Sequence, residues 1–451
     1  TEPALTGSFA NIDILVGSST SQDSLTGANL SAQWNIDGTN QYTSTNTLDF
    51  AGFEILIGGT GVDVFNLSGT QAHDLRGGSG NDALVFANGA QLTGSFDGEA
   101  GTDTLDYSAY ATARSITLTA IGTTDGFNGT EAALSAGFTN VDDFVGSTAA
   151  NNDRLYGLDQ DTNWAIGTTN QITVGANSAT FAAIELLYGG ALIDTFTIAG
   201  TGNAVSLWGG AGSDAFVFAN GASITGGIDG QGSGNNTLDY SAYTTPVLVN
   251  LHANSVLGMD PFTALGTAGI INIQDVLGGS ADDILIGSSD DNILTGNGGN
   301  DHLQGRVGDD TYIFGDNWGA NDTVIEIAGE GTDTIDFSSA TVDLTFTLGS
   351  VVVTDSFGNK VTHANHNVER LIGGSGADQF IFSAAGITLA GGTGTIDGRG
   401  GVDTINYSAY TSGVSVNLKD GTSTGTGGIS NIENAIGGSG ADSFTSSSAN
   451  N

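Results

Sequence analysis

Cysteine is absent from the 451 residues, so no disulfide stabilises the chain and no thiol serves as nucleophile or metal ligand. Cations are almost as scarce. Eight Lys and Arg stand against 49 Asp and Glu, a formal net charge of −41, which excludes nucleic acid as a partner because no phosphate-neutralising surface can be assembled. Among the acids only nine are Glu and forty are Asp, the reverse of what exposed helix faces carry, so helices are excluded almost everywhere. No apolar run reaches the roughly 18 residues a membrane-spanning helix needs. The chain opens at Thr1 without an initiator Met or a leader, which predicts a processed chain or a segment of a longer one. Proline is limited to three residues.

Glycine is plentiful, at 72 residues, and the 38% hydrophobic content is dispersed in short β-branched and aromatic runs such as 83–86, 215–218 and 379–382. Short runs bounded by Gly, Asn and Asp predict strands and tight turns, with enough apolar surface for a core. The phrase beginning Asn11-Ile12-Asp13 returns at Asn140, Asn272 and Asn431. It divides the chain into an N-terminal segment 1–10, repeats 11–139, 140–271 and 272–430, and the start of a fourth at 431–451. Trp34 and Trp164 correspond, and a Tyr-Ser-Ala-Tyr phrase recurs at Tyr107/Tyr110, Tyr240/Tyr243 and Tyr407/Tyr410. The third repeat lacks one short stretch between its Gly-Gly turn and its last motif Asp. Loss of a whole unit is natural in a stack where each coil touches its neighbours. The expected fold is all-β, an elongated parallel β-solenoid with coils of about 18–21 residues.

Residues 278–313 parse without gaps into four nonapeptides led by Gly278, Gly287, Gly296 and Gly305. Their sixth positions are Asp283, Asn292, Asp301 and Asp310, and their eighth positions Leu285, Leu294, Leu303 and Tyr312. Glycine-rich turns can direct carbonyl oxygens to one point, a carboxylate completes a hard oxygen cage, and the apolar eighth residue enters the core. With half a coil per nonapeptide, Asp283 should face the turn of Asp301 and Asn292 that of Asp310, each pair sharing Ca2+. The neutral Asn292 predicts weaker binding in its column unless Asp291 substitutes. This tract resembles the repeat-in-toxin (RTX) family of secreted bacterial proteins, and the resemblance implies a calcium-binding β-roll with Ca2+ as cofactor.

Single copies of the motif end at Asp63, Asp82, Asp103, Asp214, Asp333, Asp378, Asp403 and Asp442, with a degenerate copy at Asp194 and Asn in place of Asp at Asn236. These complete the candidate ligands. The five histidines hold no corresponding positions; His363 and His366 are expected in a solvated loop rather than on a transition metal. No Walker loop, nucleophile elbow or H-E-x-x-H occurs, and no enzyme is expected. The paired tyrosines are expected to cap a core edge, with sugar stacking as the lesser alternative. Repetition without convergent chemistry predicts an extracellular or cell-surface calcium-binding structural protein: a fibre, coat or adhesin stalk. It would associate end to end or continue in a longer array, with contact to a cell surface or polysaccharide. The alternatives are a secretion and folding module, or a carbohydrate-binding appendage, of a larger secreted enzyme or toxin.

Overall fold

The structure is a computed structural model that describes residues 12–18, 22–149, 152–232, 234–253, 263–326, 329–349, 352–363 and 367–447. The expected segment 1–10, the first phrase residue Asn11, His366 and the end of the fourth repeat at 448–451 lie outside the described residues. Two compact units are formed, Thr1–Thr197 with Asn203–Asp214, and Ile198–Gly202 with Ala215–Asn451.

Both units are built from short parallel strands visited in turn on two ladders. In the first unit, strands Ala32–Ile36, Asp63–Leu67, Ala83–Phe86, Thr104–Asp106 and Asp143–Val145 pair in parallel and in register. A second ladder runs through Ser24–Thr26, Ile55–Gly59, Asp74–Ser79 and Phe96–Ala100. In the second unit, Thr237–Asp239, Asp275–Leu277, Ile293–Thr295, Thr311–Ile313, Thr334–Asp336 and Arg370–Ile372 form one ladder. Leu248–Asn250, Ile284–Ile286, His302–Gln304 and Asp322–Ile325 form another. The architecture is all-β with long parallel sheets, consistent with a β-roll.

Alternation along three-residue strands buries the central side chain, so Leu285, Leu294, Leu303 and Tyr312 line the interior, each fully buried. In the first unit the same place is filled by aromatic rings: Trp34 stacks on Phe65 with centroids 5.6 Å apart, and Phe86 on Tyr107 at 4.5 Å. All six tyrosines of the Tyr-Ser-Ala-Tyr phrase are buried. Tyr240 and Tyr407 donate their hydroxyls to the backbone carbonyls of Leu265 and Thr424. The phrase belongs to the core, and it offers no exposed platform for a sugar ring.

The recurring phrase has a register role. Asn140, Asn272 and Asn431 each adopt left-handed backbone, φ +52°, +55° and +52°, which Asn tolerates better than other residues with a side chain. Their amides donate to Asp97, Asp229 and Asp397, each at 2.7 Å, closing one coil on another across at least 34 residues. The missing stretch of the third repeat is also visible. Asp378 is followed directly by Asp403 in its column, whereas Asp63 is followed by Asp82 and then Asp103.

Purely parallel stacking was expected, and antiparallel meanders interrupt it. Ala32–Ile36, Gln41–Thr43 and Thr47–Ala51 form one; Thr162–Ile166, Asn170–Val174 and Asn177–Ala182 form its counterpart. Short connections between strands favour hairpins, and each meander buries the corresponding tryptophan, Trp34 or Trp164. His363 is likewise no loop residue. It ends strand Lys360–His363, is buried, and its Nδ1 lies 3.1 Å from the carbonyl of Val324 while Asn367 donates its N–H to Nε2.

Candidate metal centre

The motif carboxylates form columns because the strand after each turn pairs in register with the strand of the coil before it. Along a column, the backbone N–H of one motif residue donates to the side chain of the next. Asp63 N–H donates to Asp82 Oδ1 at 2.7 Å, Asp82 to Asp103 at 2.8 Å, and Asp103 to Asp142 at 3.1 Å. Asp194 donates to Asp214 at 2.9 Å. In the tandem tract Asp283 donates to Asp301 and Asn292 to Asp310, each across 18 residues at 2.8 Å, the facing pairs expected from a nine-residue half-coil. The columns continue from Asp301 to Asp322, from Asp310 to Asp333, and from Asp378 to Asp403. Asp442, half-buried, accepts from Val414 N–H.

The leading glycine of the motif is required by this packing. A Cβ at Gly77, Gly98, Gly296 or Gly305 would collide with the carboxylate of Asp82, Asp103, Asp301 or Asp310, five residues on. The fourth-position glycine has a separate reason: Gly80 and Gly101 have φ of +140° and +149°, and a Cβ on either would strike the carbonyl of the equivalent glycine one coil earlier.

The columns contain two chemical classes of position. At Asp63, Asp82, Asp103, Asp301, Asp310 and Asp403 one carboxylate oxygen accepts a hydrogen bond while Oδ2 is buried without any partner. Asp283 and Asp378 are satisfied instead: Oδ1 accepts from the preceding coil and Oδ2 from the N–H of Gly279 or Gly374 in their own turn. A buried, unpartnered carboxylate oxygen is costly, and the one ion pair among the described residues, Arg114 with Glu131, lies outside these columns. Burial accordingly pushes the carboxyls upward: Asp63, Asp82 and Asp310 to about 6, Asp301 and Asp403 to about 7. Asp103 reaches about 8, chiefly through burial, with the charges of Asp82, Asp142 and Asp125 adding to it. Hard, oxygen-only donor sets with orphaned anionic oxygens fit Ca2+.

The two asparagine positions behave differently from an aspartate. Asn292 accepts the N–H of Ser288 at Oδ1 and donates Nδ2 to the carbonyl of Gln274 at 2.7 Å. Asn236 donates Nδ2 to the carbonyls of Gln231 and Asn272. At both positions an amide N–H donates to backbone carbonyl oxygens, which an ionised aspartate in the same place cannot do. Asp291 does not take over: it is exposed and accepts from Asp309 N–H in an outer row of turns.

Several acids in the columns are not motif residues. Glu54, Glu185, Glu369 and Glu433 accept the N–H groups of Asp23, Asp153, Asp333 and Asp403. Asp142 and Gln274 do the same for Asp103 and Asn236. The signal for Asp142, Gln274 and Glu433 lay in the repeated phrase itself, of which each is the third residue, whereas Glu54, Glu185 and Glu369 lie outside that phrase. Asp125, carried by the hairpin between Ser115–Ile121 and Phe127–Glu131, was not legible; one oxygen each of Asp103, Asp125 and Asp142 lie within 4.8 Å of one another.

Among curated proteins no match is found. Residues 197–224 and 277–312 match the RTX calcium-binding nonapeptide repeat in four copies. The second segment covers the tandem tract almost residue for residue, and the first contains the turn that ends at Asp214. The chain thus carries RTX calcium-binding nonapeptide repeats, and Ca2+ is the cation that these repeats bind.

Proposed function

We propose that the protein is an extracellular, non-enzymatic structural element in which Ca2+ clamps successive coils of a β-solenoid into a stiff spacer, fibre or surface coat. The observation that carries this reading is the recurrence of buried carboxylates with unpartnered oxygens along the columns, at Asp63, Asp82 and Asp103 and again at Asp301, Asp310, Asp322 and Asp403. Such a chain repels itself when the ions are absent, because forty-one uncompensated negative charges remain. Calcium binding then becomes folding free energy, which suits a protein that acquires its shape where external calcium is high. Asp63, Asp82, Asp103, Asp301, Asp310 and Asp403 would supply the carboxylates, with turn carbonyls completing each cage. Contact between chains belongs to the same reading, since strand Ser443–Thr445 is exposed along its length and could accept an added strand.

Circular dichroism and small-angle scattering of the full chain test the proposal. Millimolar Ca2+ is expected to produce β-structure and a compact cross-section, and chelator at low ionic strength to remove both. Spectra and scattering unchanged by chelator would overturn the structural role of the ion.

A further inference from the structure

The tandem tract is followed by a turn that departs from the motif. Gln304 is in register with Ile325, so the next residue, Glu326, stands where Gly305 stands one coil earlier. Glycine is needed at 305 because a Cβ there would run into the Asp310 carboxylate. In sequence, Glu326 is separated from Asp333 by two residues more than Gly305 is from Asp310, and a side chain stands at the first position. That side chain is a carboxylate, and it points inward: Glu326 is 1% exposed. One oxygen each of Asp310, Glu326 and Asp333 lie within 4.8 Å of one another, and all three residues are buried.

The surroundings match this insertion. The eighth position of the fourth nonapeptide is Tyr312 where the other three have leucine, and its phenol donates to Glu326 Oε1. The phenol oxygen also accepts the N–H of Gly305 at 2.5 Å. Asp310, fully buried, spends Oδ1 on Asn292 N–H and leaves Oδ2 without a partner. Arg306, next to Gly305 in the same turn, forms no ion pair with any of the three. Three buried carboxylates this close repel one another, and Asp310 keeps one oxygen buried without a partner.

We propose that Asp310, Glu326 and Asp333 form a three-carboxylate site for a hard divalent cation of the Ca2+ class, with Tyr312 orienting Glu326. The site differs from the other positions of the tandem tract in its charge. A cage with one carboxylate more than its neighbours binds more tightly and accepts a trivalent ion readily, because affinity rises with ligand charge. It closes the tandem tract at the coil where the nonapeptide pattern ends, so its ion would be the last to leave that tract. The proposal rests on the calcium reading above.

Native mass spectrometry of the full chain in Ca2+, with Tb3+ luminescence excited through tyrosine, tests it. The Glu326→Gln variant, which keeps the shape and an acceptor for Tyr312, is expected to lose one ion from the count or to bind it at least about 10-fold more weakly. The Tyr312→Phe variant is expected to keep the ion but to lose sensitised Tb3+ emission from this site. An unchanged count and affinity in Glu326→Gln would overturn the site and assign the trio to shared protons. Should that variant fail to fold even in Ca2+, unaltered emission in Tyr312→Phe would overturn it instead. Wild-type chain that takes up no Ca2+ at all would sink the broader calcium reading, whereas uptake that is insensitive to both substitutions sinks only this site.

Discussion

The tandem tract and the coils around Asp63, Asp82 and Asp103 use the same turn but support it differently. In the tract each strand buries one side chain, a leucine or Tyr312, and turns on both sides of the coil carry a column residue. In the first unit the strands are longer, the interior holds stacked rings of Trp34, Phe65, Phe86 and Tyr107, and a meander adds further hydrogen bonds. Apolar burial contributes about 25 cal/mol per Å2, so coils with larger rings are less dependent on the ion. Calcium and core are thus alternative means of holding a coil, and this chain varies their proportion along its length.

The largest expected effect follows directly. On chelation, amide protection in 278–313 should fall first and by about 100-fold or more, the protection an ion at a hundred times its dissociation constant supplies. Strands Ala83–Phe86 and Thr104–Asp106 should persist to later times. Hydrogen exchange by mass spectrometry makes the measurement, and simultaneous loss in both regions would show that the two depend on the ion equally.

A second, smaller effect is its pH dependence without metal. The column carboxyls have folded-state values raised by burial above the ordinary 3.8, Asp310 to about 6, Asp301 to about 7 and Asp103 to about 8. Between 3.8 and those values the folded chain holds more protons than the unfolded one, so its stability is present at acid pH and is lost as pH rises through them. In chelator, with salt enough to screen the charge and keep the chain folded, the melting temperature should therefore be higher at pH 5 than at pH 7.5, and the tract should give way at lower pH than the coil of Asp103. With Ca2+ the order reverses, because protons compete for the same oxygens. Melting temperatures independent of pH in chelator would show that the buried carboxyls are not protonated in the folded state.

The smallest effect comes from Asn292→Asp. The substitution removes the amide donor to Gln274 and supplies a carboxylate instead. In chelator it should destabilise the chain by about 1 kcal/mol, the worth of one hydrogen bond; in Ca2+ it should add one ion to the count. A variant that is neutral in chelator and gains no ion would show that the amide does not stand in for a cation.

Much of this was legible because turn chemistry is local. The first glycine and the sixth-position aspartate of a nonapeptide lie five residues apart and touch, so Gly296 and Asp301 reveal their relation in the sequence alone. The period of the tract likewise gives the pairing of Asp283 with Asp301. The acids that join columns from outside the motif were harder to find. Glu433 and Asp142 sit inside a phrase whose repetition marks register, and nothing local distinguishes a register residue from a ligand. Glu326 follows strand Asp322–Ile325, beyond the last nonapeptide, and Asp125 lies in a hairpin, so no period is available to place them.

The sequence by itself determined the class of chain: short strands, glycine turns, repeated units, and a hard cation to offset forty aspartates with eight Lys and Arg. It also determined which coil faces which, since period and register are the same information when each turn returns to one corner. Only the tertiary structure decided which oxygens are left for an ion. Asp283 and Asp301 occupy the same motif position, yet the first has both oxygens satisfied by backbone N–H groups and the second has one buried and unpartnered. The reason is physical. A carboxylate's remaining capacity depends on the donors its neighbouring coils and its own turn present, and those donors come from residues such as Val247, 36 positions away, whose place no motif records.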